Sequence, residues 1–202
     1  MITIVGTSHV SPESGKAVSK SMKNKDCVCV ELDALRYHAI TTNEKRQPPG
    51  IFLKVLHFIQ QRLGKATGTA PGDDMISAVK AGQEAGIPVY LIDQDFRVTL
   101  SKLRGVPLME KLAVFVPIFL TPLKFDLSKI PEKRVVDSAL GMLRKTAPRM
   151  HNVLVTERNA YMAAQITRIA QKHKNVLVVV GAGHAAGLQK LLKSAGLRVR
   201  VV

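Results

Sequence analysis

Apolar residues fall into two rhythms along the chain. Short, nearly unbroken apolar runs occur at 2–5 (ITIV), 27–30 (CVCV), 88–92 (PVYLI) and 176–180 (VLVVV), with a mixed run at 197–202 (LRVRVV). Runs of this length and β-branched content, without polar alternation, predict strands covered on both faces. Between them, apolar positions recur at helical spacing over 11–23, 33–43, 51–64, 72–85, 95–103, 108–120, 132–145, about 150–173 and 184–195. Pro71-Gly72 and Gly86-Ile87-Pro88 bound the 72–85 helix, and Asp73 and Asp74 occupy its first turn, where the helix dipole favours anions. Residues 43–50 (NEKRQPPG) read as a loop. Strands alternating with helices predict an α/β layered fold with a mainly parallel or mixed central sheet flanked by helices. The stretch 95–150 holds no strand and reads as a helical insertion that packs over the sheet or walls a cleft. At 202 residues the chain is expected to form a single domain, 1–202.

Composition narrows the class. Hydrophobic residues make up 46% of the chain, enough for a packed core and too many for a disordered one. The most apolar piece, 112–123, is too short to span a bilayer, contains two prolines and follows Glu110 and Lys111. Met1 leads straight into a strand pattern with no leader-like segment, so the expectation is a cytoplasmic protein. Cys27 and Cys29 lie two apart on one predicted strand, pointing to the same face as packed thiols. Thirty Lys+Arg against 15 Asp+Glu give a net charge of +15, a field that favours anionic partners. The basic residues are scattered and aromatics for base stacking are few, so nucleic acid is not the expected partner.

The chemistry gathers where strands end. The first strand runs into Gly6-Thr7-Ser8-His9 and the fourth into Gly181-Ala182-Gly183-His184; the second ends at Glu31-Leu32-Asp33 and the third at Asp93-Gln94-Asp95. In parallel α/β sheets the carboxyl ends of strands are where ligands collect. Two imidazoles and a carboxylate with an open position suit a catalytic divalent metal, with Mn, Co and Zn all compatible. Metal-bound water becomes a nucleophile near neutral pH. The glycines permit the sharp strand-to-helix turn. Glu157, Arg158 and Asn159 form a charged cluster early in the 150–173 helix, and either Arg158 or Arg36 suits a carboxylate clamp or an oxyanion grip. A solvated first turn accounts for the same cluster. Gly181, Gly183 and Gly187 do not have dinucleotide-binding spacing, and no acidic residue follows to hold a ribose.

The ordered segments GTSHVSPES, VCVELDALR, PGDDM, LIDQD, TERNAYMA and VVVGAGHAAGL resemble the TraB family. That family includes bacterial pheromone-shutdown proteins and belongs with Tiki metalloproteases, erythromycin esterases and ChaN-like haem-binding proteins. The resemblance runs from the first strand to the last. It implies His9, His184 and Glu31 as metal ligands, Glu31, Arg158 and Glu157 as catalytic groups, and Arg36, Asn159 and Asp93 as substrate contacts. Two departures stand out: Gln94 where the family usually has Arg, and Asp74 where it usually has Glu.

The expected function is a metal-dependent hydrolase acting on a peptide or another amide or ester. The alternative is a protein that binds and sequesters a peptide without cleaving it. A basic module for nucleic acid or acidic membranes is a third class. The expected partners are a peptide or small anionic substrate and a second copy of the chain, with the apolar helices 51–63 and 108–120 as the dimer surface. Longer archaeal relatives carry C-terminal membrane segments, so membrane association is expected only through segments outside this chain.

Overall fold

The structure is a computed structural model describing residues 1–7, 18, 20–42, 73–120 and 132–202. Five strands form one parallel sheet: β1 (Ile2–Thr7), β2 (Cys27–Val30), β3 (Val89–Leu91), β4 (Val176–Gly181) and β5 (Val199–Val201), in the order β3-β2-β4-β1-β5. The mixed-sheet option is thereby resolved as parallel. β4 is the seam. It pairs with β1 from Ile2↔Val176 to Thr7↔Gly181 and with β2 from Cys27↔Val176 to Val30↔Val179. Its residues Val176 to Val180 are buried on both faces, as a continuous apolar run requires. At roughly 1.5–3 kcal/mol for each fully buried aliphatic side chain, this strand carries a large share of the stabilisation.

The helices are α1 (Ala34–Thr41), α2 (Asp73–Glu84), α3 (Phe96–Arg104), α4 (Leu108–Leu120), α5 (Glu132–Thr146), α6 (Pro148–His151), α7 (Glu157–Ala170) and α8 (Ala182–Ser194). One sheet face carries Ile2, Ile4, Cys27, Cys29, Val176, Val178 and Val180 against Met162 and Ile166 of α7 and Leu188 and Leu192 of α8. Both cysteines point to this face as unbridged, buried thiols. The other face packs Val5, Val28, Val30, Leu177 and Val179 against Met75, Ala78 and Val79 of α2. α2 and α8 end alike. Gly86 (φ 67°) and Gly196 (φ 79°) take the left-handed conformation, and the next residue donates back to a carbonyl five positions earlier, turning the chain into β3 and β5.

The stretch 95–150 is helical where described, as expected, but its apolar side chains build a third core rather than covering the sheet. Leu103, Val106, Ala147, Met150 and Val153 meet there, with Val114, Phe115, Leu143 and Leu154 around them. The single helix expected over 150–173 is interrupted. Between α6 and α7, residues Asn152–Thr156 form a wide π turn, and the Glu157 amide closes onto the Asn152 carbonyl. Such turns are rare and accumulate at functional sites. Among the described residues no helix is long and apolar enough to cross a membrane. α4 exposes Leu108, Met109, Leu112 and Val116. The loop at 43–50, the helix at 51–64, most of the helix at 11–23, and Ser8 and His9 lie outside the described residues.

Candidate functional site

β2 and β4 are neighbours whose chains leave on opposite faces, towards α1 and α2 from β2 and into α8 from β4. In open α/β sheets such divergence marks where ligand crevices form, at the carboxyl ends of the strands. Glu31, the residue after β2, lies there: its Oε2 accepts from the Gly181 amide at 2.7 Å. His184 is the third residue of α8, and Asp93 follows β3 by two positions. All three side chains are buried.

Arg158, the second residue of α7, ties them together. Its Nε donates to Asp93 Oδ1 (3.0 Å) and its Nη2 to both Asp93 Oδ2 (2.6 Å) and Glu31 Oε1 (2.5 Å). Nη1 donates to the Leu154 carbonyl in the π turn (3.3 Å) and to His184 Nε2 (3.2 Å). A guanidinium has five N–H donors and no acceptor. Here five contacts use them all. The π turn contributes directly, because Leu154 lies within it.

The same contacts fix the imidazole. Arginine can only donate, so His184 Nε2 presents a lone pair and the ring proton sits on Nδ1. Nδ1 donates to Asn159 Oδ1 at 2.7 Å. Asn159 is in turn boxed in: a Cβ at Gly187 would stand 2.3 Å from its Nδ2. Gly187, excluded above from a nucleotide motif, is therefore a packing glycine that brings α8 close to α7. Its signal is invisible in the sequence, because the residue it accommodates is 28 positions away.

Burial penalises a charge on Glu31, yet its carboxyl sits below the ordinary 4.5, since His184 once protonated, and Arg158, the Gly181 amide and Arg36 throughout, favour the anion. Burial pushes His184 below its ordinary 6.5; Glu31 opposes this and Arg158 adds to it. The folded site thus holds a neutral imidazole beside an ionised carboxylate. Both groups have folded pKa values below their unfolded ones, so their stabilisation is present at high pH and lost on acidification. The loss begins as the pH drops below about 6.5, where the unfolded chain takes up protons that buried His184 refuses, and deepens below about 4.5 with Glu31. His151, lowered by burial and by Arg144, adds to the first stage. Asp33, pushed above its ordinary 3.8 chiefly by burial, works in the opposite sense at the acid end. Tm is therefore expected to fall from pH 7 to pH 5.5, and His184→Asn to flatten that fall. A Tm that is flat or rising over this interval would contradict the assignment.

The remaining expected site residues fall into three groups. Asp93 and Arg36 join the cluster, with Arg36 Nη1 donating to Asp93 Oδ2 at 3.1 Å. Glu157 does not: it accepts from Asn152 Nδ2 (2.7 Å) and pairs with Lys102, away from Glu31 and His184. His9 lies outside the described residues. Gln94 is buried and donates its Nε2 to Thr99 Oγ1 (3.2 Å), touching Asp93 only through its backbone amide. Asp33 caps α1, its Oδ1 accepting from the Leu35 and Arg36 amides.

A parallel sheet flanked by helices, with an acid–guanidinium–imidazole cluster at its carboxyl rim, defines an α/β protein whose candidate site is that cluster. The chain belongs to the TraB/PrgY/gumN family, whose family model matches residues 1–201. It is also similar to the uncharacterized protein MJ1365 of Methanocaldococcus jannaschii, 31% identical over 216 residues that cover 95% of this chain and 53% of the relative. The chain therefore spans about half the length of that relative.

Proposed function

We propose that this chain is a metal-dependent hydrolase acting on a peptide or another amide or ester, with His184 and Glu31 holding a divalent ion such as Mn, Co or Zn. One observation carries this reading. His184 Nε2 keeps its lone pair because Asn159 fixes the proton on Nδ1, the outer hydrogen bond that metal-binding histidines use to set tautomer and ring orientation. Glu31 Oε1 lies 3.4 Å from that nitrogen. Two ligands of one ion stand about this far apart when each bond is about 2.1 Å. Among the described residues no group of three His, Cys, Asp or Glu side chains is placed to hold a metal. The donor set is a pair there, and His9 is the expected third ligand.

An ion so bound would supply an acidified water as nucleophile. The chain's own groups do the rest. Glu31 stays ionised, and Asn159 holds the imidazole. His184 Nε2 and Glu31 Oε1 would give up Arg158 for the ion, and Arg158 would stay anchored by Asp93 and the Leu154 carbonyl. The Nη1 and Nη2 N–H groups so released would face the site, so Arg158 would both orient it and offer donors to a substrate oxygen.

A second reading, capture of a peptide without cleavage, is favoured by a different observation: Arg158 already neutralises Glu31, so the cluster is complete without an ion. Elemental analysis after chelator-free purification separates the two. The hydrolase reading expects stoichiometric metal in the parent, lost in His9→Ala/His184→Ala, and metal-dependent cleavage of peptide. Metal equal in parent and variant would refute the ligand assignment. Peptide bound and recovered intact, with metal present, would favour capture.

A further inference from the structure

We infer that Arg36 selects the ligand by taking one of its carboxylates on the Nε–Nη2 edge of the guanidinium, an edge that no described residue takes. The inference rests on reading the crevice as a peptide site, and it concerns recognition rather than turnover.

Two guanidiniums meet at Asp93, and they are in opposite conditions. Arg158 has all five donors engaged, and its side chain is only 14% exposed. Among the described residues Arg36 makes one contact, Nη1 to Asp93 Oδ2, and its side chain is 38% exposed while that of Asp93 is 2% exposed. Among the described residues no acceptor takes Nε or Nη2. A guanidinium pinned by one corner to a buried acid is oriented but not satisfied. The free edge carries two parallel N–H vectors, the fork that matches a carboxylate bidentately.

The position is fixed from the backbone as well. Arg36 sits in the first turn of α1, its amide held by Asp33 Oδ1, and Asp33 makes no bond to the guanidinium. Asp93 Oδ2 is shared with Arg158 Nη2, which in turn contacts Glu31 Oε1. Arg36 is thus separated from the candidate reacting centre by one carboxylate and one guanidinium. That gap is within reach of one or two residues of extended peptide at roughly 3.3–3.6 Å each. Within this contact network Glu31 and Asp93 are paired with Arg158 and Arg36, while Asp33 is held by the Leu35 and Arg36 amides. The chain's net charge of +15 draws anions towards it. The ligand class is a short peptide with a carboxylate near the bond that lies at His184. Either the C-terminus or an acidic side chain supplies this group.

Three probes distinguish these sources: N-acetyl-trialanine with a free C-terminus, its C-terminal amide, and N-acetyl-Ala-Glu-Ala amide. Binding is measured by NMR titration against the intact chain with Mn²⁺ present, for the parent, Arg36→Gln and Arg36→Lys, with thermal melts confirming that each is folded. The parent is expected to prefer one carboxylate probe over the neutral amide by about tenfold or more, the scale of one charge-assisted bidentate contact. Which probe wins identifies the source. Arg36→Gln abolishes the preference, and Arg36→Lys, which keeps the charge but not the fork, retains part of it. Equal affinities, undetectable binding of all three probes, or a preference that survives in Arg36→Gln overturns the inference. Cleavage is scored separately. Preference without cleavage leaves Arg36 in its role and removes the hydrolase, while cleavage without preference does the reverse.

Discussion

Arg158→Ala is expected to cost about 3–5 kcal/mol of folding stability at pH 7, the scale for breaking a buried ion pair from one side. The change leaves the Glu31 and Asp93 carboxylates buried with less compensation, and His184 Nε2 and the Leu154 carbonyl lose a donor. Arg158→Lys preserves the charge, but a single ammonium cannot reach Asp93, Glu31, His184 and Leu154 together, so its loss should be intermediate. The deficit of Arg158→Ala should shrink as pH falls, because protonation relieves the stranded carboxylates. Adding Glu31→Gln should recover part of the loss at neutral pH, a coupling that a double-mutant cycle in chemical denaturation reads directly. A loss below about 1 kcal/mol in Arg158→Ala would mean that the cluster is solvated and behaves as a surface pair.

Gly187→Ala should damage the site as much as removal of a ligand's hydrogen-bond partner does. The added methyl would stand 2.3 Å from Asn159 Nδ2 and 3.2 Å from its Cγ, so the asparagine must move. The end that gives way is the amide that holds His184 Nδ1. Overpacking of this kind costs about 1–3 kcal/mol. Loss of the outer partner of a metal-binding histidine lowers metal affinity or activity about 10–100-fold. Gly183→Ala is the internal control: its methyl would meet Leu140 at an ordinary 3.4 Å and should be nearly neutral. Imidazole ¹⁵N spectra give a readout independent of catalysis. The parent should show His184 protonated at Nδ1, and Gly187→Ala should show a mixture of tautomers. An unchanged spectrum in a folded Gly187→Ala would show that Asn159 does not set the ring.

The strands and the acids behind them were legible because both follow from local rules. An unbroken run such as 176–180 has few alternatives to a buried strand, and a polar residue just after it must sit on the rim. Glu31, Asp93 and His184 were accessible in this way. Arg158 was visible only as part of a charged triplet. Successive helical residues point about 100° apart, and in the structure Arg158 and Asn159 face the cluster while Glu157 turns to Lys102. The π turn left no mark in Asn152–Thr156 that a helical pattern would not also give, yet it supplies the Leu154 carbonyl to the guanidinium. The Gly187–Asn159 approach joins two helices separated by β4, and no spacing rule links them. Local pattern reached the strand ends; the contacts that complete the cluster depend on how α7 and α8 pack.

The pairing of β1 has a consequence for the order in which the molecule is made. Its neighbours are β4 and β5, so β1 is synthesised well before either strand it pairs with. β2 and β3 can pair earlier, but Glu31 and Asp93 then remain in water, because Arg158 and Gly181 have yet to be synthesised. The insertion of β4 between β1 and β2 closes the sheet and dehydrates the charged cluster together. Assembly of the site therefore follows synthesis of β4, and until then β1 presents two open edges to whatever else is nearby.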